Sequence, residues 1–73
     1  MTIDEFIINI ENLFDKKNEL KPESVFFDMV EWSSFNQLLL VNFINEEFDL
    51  KMKVSELKPF MTIKGLFELI INN

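Results

Sequence analysis

Apolar residues recur at helical spacing in three separate segments of this chain, and nowhere do they alternate as a strand requires. Ile3, Phe6, Ile7, Ile10, Leu13 and Phe14 follow the i, i+3, i+4 pattern and form one stripe, which predicts a first helix over residues 2–16. Thr2 followed by Glu5 is a capping-box pattern at its start, and Lys16-Lys17 complement the negative end of its dipole. A second helix is expected over residues 34–48, with Leu40, Val41, Ile44 and Phe48 on its core side. The last helix is capped by Thr62 and repeats Ile63, Leu66, Phe67, Ile70 and Ile71. Gly65 inside it weakens the helix slightly and allows close packing.

The connections are unequal. NELKPESVFFDMVEW holds Pro22 and no helical period, and is about as long as a structureless connection gets. Its Val25, Phe26, Met29 and Val30 point to a loop pinned to the core. KMKVSELKPF has room only for a short helix over residues 54–58, ended at or before Pro59. The expected fold is all-α: a small four-helix bundle, three main helices and one short one, in a single domain over residues 1–73.

A 73-residue chain has a limited core, and this one offsets that with 48% hydrophobic residues, nine of its residues being phenylalanine. Thirteen acids against seven lysines give a net charge of −6. Such a surface repels a phosphate backbone and disfavours nucleic acid; it attracts basic protein surfaces, or simply keeps a small protein soluble. The absence of cysteine fits a reducing compartment. MTIDEFIINI lacks the basic start of a signal peptide, and no apolar run is long enough for a membrane span. The expected location is cytoplasmic, as a monomer.

Without histidine or cysteine the chain has no serine triad, thiol nucleophile or ordinary zinc site. The paired acids Asp4-Glu5 and Glu46-Glu47 point about 100° apart on a helix and belong to solvated faces. A single glycine excludes the glycine-rich phosphate loops. The chain is therefore expected not to be an enzyme, to have no catalytic residue and to hold no metal. A serine that matters here is one that other enzymes act upon.

The segment Phe26 to Phe35, F-x-D-M-V-E-W-S-S-F, followed by a helix ending Asn45-Glu46-Glu47-Phe48, resembles the acyl carrier protein family. That family opens its second helix with D-S-L and places an acidic E-E-F or E-E-Y near the helix end. The match sets Ser34 as the motif serine, Ser33 in the aspartate position and Phe35 in the leucine position. It extends over nearly the whole chain, and Trp32 before the motif is similar to a variant in divergent bacterial carriers. The resemblance implies an acyl-carrier-like bundle with 4′-phosphopantetheine attached covalently to Ser34, delivered from coenzyme A by a phosphopantetheinyl transferase. The arm's thiol then carries acyl or aminoacyl groups as thioesters between a loading ligase, a ketosynthase and related enzymes, as in fatty acid or polyketide biosynthesis.

The residues make local sense beside the resemblance. Ser33 is a good N-cap, and Ser34 then sits at the positive end of the dipole, where an exposed phosphodiester gains roughly 0.3–1 kcal/mol. Two capping serines with no other role would produce the same dipeptide. Ser33 replaces the family's carboxylate, and Asn36, Leu39 and Asn45 stand where relatives usually carry acids. Phe35, Leu38, Leu39, Asn42 and Glu46 are therefore expected to form a more apolar, less salt-sensitive partner surface, unless Phe35 and Leu38 fold down on the loop around Trp32. Trp32 is expected to pack the loop beside Ser34. The core phenylalanines with Leu40, Ile44, Phe67 and Ile70 could line an acyl cavity, or be core and nothing more. The alternative is an unmodified helical interaction module using the same exposed face.

Overall fold

The computed structural model describes residues 1–16, 19–29, 31–58 and 61–72, and for Phe27 its backbone alone. Among the described residues three α-helices, α1 (Ile3–Leu13), α2 (Ser34–Phe48) and α3 (Ile63–Ile71), pack around one core. Two single 3₁₀ turns, Phe26–Asp28 and Val54–Glu56, interrupt the connections. The fold is a small all-α bundle, as the apolar periods indicate.

α1 begins with the expected capping box. The Glu5 N–H donates to Thr2 Oγ1 at 3.2 Å, and the Thr2 N–H donates to Glu5 Oε1 at 2.8 Å. It ends earlier than residue 16. Asp15 turns left-handed at φ 56, and the Lys16 N–H closes back on the Glu11 carbonyl at 2.7 Å, the six-to-one bond of a Schellman motif. Lys16 thus lies beyond the helix and does not serve its dipole; Lys17 falls outside the described residues. α2 closes in the same way, with Asp49 at φ 53 and the Leu50 N–H on the Asn45 carbonyl at 3.2 Å.

The buried residues are those at core positions: Phe6, Ile10, Leu40, Ile44, Ile63 and Leu66 are sealed from solvent. Phe6 lies at the centre, its ring 5.2 Å from Phe67, 6.1 Å from Phe43 and 6.2 Å from Phe48. Aromatic pairs at such distances each add about 0.5–1.5 kcal/mol beyond the area they bury. Ile71 departs from the stripe: one residue past the buried Ile70, it turns about 100° away and is exposed.

The long loop is tied down, as its apolar residues imply. Phe26 is buried, Val25 and Met29 are half-buried, and Val30 falls outside the described residues. Among the described residues, an isolated antiparallel bridge joins Val25 to Thr62. The Phe26 N–H donates to the Met61 carbonyl and the Ile63 N–H to the Ser24 carbonyl, which fastens the loop to the start of α3. The short helix expected over residues 54–58 is only the 3₁₀ turn Val54–Glu56, with buried Leu57 after it. Pro59 lies outside the described residues. Gly65 makes its close approach to the cap: an added Cβ would meet Thr62 Oγ1 at 3.2 Å.

Candidate functional site at the head of α2

Ser33 caps α2. Its backbone is extended, at φ −103 and ψ 163, and its Oγ accepts the Asn36 N–H at 3.2 Å. Its carbonyl takes the Gln37 N–H at 2.9 Å, starting the helix ladder. Ser34 is therefore the first helical residue, and it is exposed. The N–H groups of the first turn have no intrahelical acceptor, and no acid lies in that turn to take up the dipole's positive end.

The approach to Ser33 is knitted from both sides. The Glu31 carbonyl accepts the Ser33 N–H at 2.8 Å and Asn36 Nδ2 at 2.8 Å. The Trp32 N–H donates to the Met29 carbonyl at 3.1 Å, and the Met29 N–H to the Phe26 carbonyl at 3.0 Å. The indole lies 4.8 Å from the Phe26 ring and 6.4 Å from the Phe14 ring. Trp32 thus packs against Phe26 of the loop and Phe14 at the end of α1.

Beyond Ser34, the outer face of α2 carries no charge until Glu46. Phe35 is 68% exposed and Leu38 49%, with Asn42 and Glu46 exposed along the same side. Leu39 is half-buried, so it contributes an edge of that surface and not its centre. Apolar residues on two sides of α2 explain how a core helix also shows solvent a hydrophobic face.

Two of the three positions where the resemblance would lead one to expect acids have an internal use. Asn36 holds the Glu31 carbonyl, and Asn45 grips both backbone groups of Met52, donating to its carbonyl at 3.0 Å and accepting its N–H at 2.8 Å. Neither asparagine is a free surface group; each ties a loop to α2.

Two charged contacts were not foreseen. Glu11 is 7% exposed, and its Oε2 accepts the N–H groups of Glu19 at 2.9 Å and Leu20 at 3.1 Å. The signal was present, because Glu11 lies four residues after the core residue Ile7 on the apolar side of α1. Lys16 Nζ lies 2.9 Å from Glu19 Oε2 and 3.3 Å from Glu31 Oε1. Hydrogen bonding to Glu19 raises the Lys16 pKa above the ordinary lysine value; desolvation opposes this, and Glu31 adds to the rise. No sequence period could announce this pair.

The core residues considered for an acyl cavity are packed closed, Leu40 and Ile44 fully and Ile70 nearly so. A cavity of ≈ 270 Å³ lies elsewhere, lined by Leu50, Lys51, Met52, Glu56, Leu69 and Ile70. Of the described residues considered for an acyl cavity, Ile70 alone lines it. No protein-family model and no solved structure matches the chain.

Proposed function

We propose that this chain is a carrier protein whose Ser34 hydroxyl receives a 4′-phosphopantetheine arm. The observation that carries the reading is the exposed Ser34 at the first position of α2, one residue after a serine that caps the helix. The hydroxyl oxygen would form the new phosphodiester, the adenosine bisphosphate half of coenzyme A would leave, and the transferase would take the proton. The chain supplies no base for this and needs none. Its part is to hold the hydroxyl outward at the positive end of a helix, where a phosphodiester is stabilised by roughly 0.3–1 kcal/mol. Phe35 and Leu38 then offer a successive enzyme an apolar foothold beside the arm, with Glu46 further along the helix.

The test is incubation of the unmodified protein with coenzyme A and a broad-specificity transferase, followed by intact mass measurement. One phosphopantetheine should be gained, lost in Ser34→Ala and kept in Ser33→Ala. Modification of Ser33, or of neither serine with several transferases, sinks the reading. The exposure of Phe35 and Leu38 also supports a second reading, an unmodified interaction module docking through α2. In that case Ser34→Ala leaves cellular activity intact while Leu38→Glu abolishes partner binding.

A further inference from the structure

Charged side chains of α1 and its exit fasten the long connection at both ends. At its start the Glu11 carboxylate holds the N–H groups of Glu19 and Leu20. At its end Lys16 reaches across to Glu31, two residues before the cap of α2. The Schellman closure of α1 directs the chain so that Lys16 leaves the helix toward the loop.

Glu31 is the junction. Its Oε1 is buried and makes no hydrogen bond among the described residues; the Lys16 ammonium at 3.3 Å is the charge that offsets it. Its carbonyl faces the other way and holds both the Ser33 N–H and the Asn36 side chain. The side chains of Lys16 and Glu31 are 18% and 31% exposed, so water and salt screen the pair less than a free surface pair. Carboxylate to the exit of α1, carbonyl to α2: one residue links the end of the first helix to the head of the second.

We infer that the Lys16–Glu31 pair is a latch that sets the presentation of Ser34. The inference rests on the carrier reading for what is done to Ser34, but the latch has a readout of its own. With the pair joined, residues 31–33 are held between α1 and α2, and Ser33 keeps the extended geometry of the cap. With it broken, the bonds to α2, the Trp32 N–H bond to the Met29 carbonyl and the packing of Trp32 remain, and the cap opens more often. Lys16 is a positioning residue; it touches no reacting atom.

The experiment combines amide hydrogen exchange on the full unmodified chain with the rate of phosphopantetheine transfer from coenzyme A. Loss of an ion pair of this exposure should speed exchange at the Ser33 and Asn36 amides about two- to five-fold in Lys16→Met. Glu31→Gln, which keeps the carbonyl bonds, should behave alike, and Lys16→Arg should restore protection. The Phe67 and Ile70 amides in α3 should not change, which separates local opening from general loss of stability. Transfer to Ser34 should slow in kcat/KM in the same two variants and recover in Lys16→Arg. Unchanged exchange in Lys16→Met overturns the latch, and so does faster exchange without slower transfer. If the wild-type chain is never modified, the carrier reading fails on its own, whatever the exchange shows.

Discussion

Glu11 Oε2 accepts the backbone N–H of Glu19 at 2.9 Å, a buried carboxylate bound to a loop eight residues away. Hydrogen bonds to a charged acceptor contribute about 1.5–3 kcal/mol, and a buried donor left alone costs a similar amount. Glu11→Ala removes the acceptor from both Glu19 and Leu20. The expected loss is about 2–3 kcal/mol in urea unfolding, a large part of a small domain's stability. Glu11→Gln keeps one acceptor oxygen and should lose less. Equal stability of Glu11→Ala and wild type would show that the loop does not need this anchor.

Asn45 makes a comparable anchor at the other end of α2. Its amide meets a donor and an acceptor on Met52 at once. Asn45→Asp keeps the acceptor for the Met52 N–H but sets a carboxylate against the Met52 carbonyl. Asn45→Asp should therefore destabilise at least as much as Asn45→Ala, by about 1–2 kcal/mol each. An acidic residue here, as the carrier pattern usually has, is incompatible with this loop contact. Thermal unfolding of the two variants at neutral pH decides it, and a stabilised Asn45→Asp contradicts the argument.

The parts of the molecule legible in the sequence are those governed by short-range periodicity. The helices follow from stripes such as Phe6, Ile7, Ile10 and from hydroxyl caps at Thr2, Ser33 and Thr62, because both signals lie within a turn or two. The exit of α1 is hard to read because its Schellman closure uses Asp15 where glycine is usual, and glycine is the sign one reads. Lys16 and Glu31 are silent for a different reason. Each gains its role from a partner across a loop, and a charged residue bound at long range looks like one that is merely solvated. At the head of α2 the helix start is readable, whereas the choice of solvent over the loop for Phe35, and the internal duties of Asn36 and Asn45, depend on loop backbone that only the fold brings near.

The two aspartates in left-handed backbone, Asp15 at φ 56 and Asp49 at φ 53, hold conformations that cost most L-residues about 1–2 kcal/mol. Each also sets a negative charge at the negative end of a helix dipole. Asp49→Gly should relieve both effects. Set against the greater entropy of an unfolded glycine, a net gain of about 0.5–1 kcal/mol and a rise in Tm of several degrees are expected. Asp49→Ala keeps the strain without the local polar side chain, so it should not stabilise. A lower Tm in Asp49→Gly would mean that the carboxylate makes a favourable contact of its own.

Glu5 ties stability to acid. The Thr2 backbone N–H bond, then the Thr2 hydroxyl bond, lowers its pKa below 4.5, the ordinary carboxylate value. A depressed folded value means that the unfolded chain takes up the proton first as pH falls. The Glu5 contribution is therefore complete above the ordinary value and disappears as pH drops through the lower folded value. Glu5→Gln should unfold at lower urea than wild type at neutral pH, and the gap should narrow below the ordinary carboxylate range. A gap that is constant across that range would exclude the ionised capping box as its source.

Ser33 occupies the position where a carboxylate would do more. Its hydroxyl accepts the Asn36 N–H at 3.2 Å, a long bond, and leaves the uncharged first turn of α2 without a negative partner. Ser33→Asp keeps a side-chain acceptor at the cap and adds a charge where the dipole favours one, for a gain of about 0.3–1 kcal/mol. Ser33→Ala loses the cap and should cost about 1 kcal/mol. If Ser34 is the modified residue, Ser33→Asp should remain a substrate and Ser33→Ala should be modified more slowly but at the same oxygen. Chemical denaturation gives the order of stabilities, and peptide mass mapping identifies the modified residue. Should Ser33→Asp be both less stable and unmodified, the extended cap geometry would not be what organises this end of the helix.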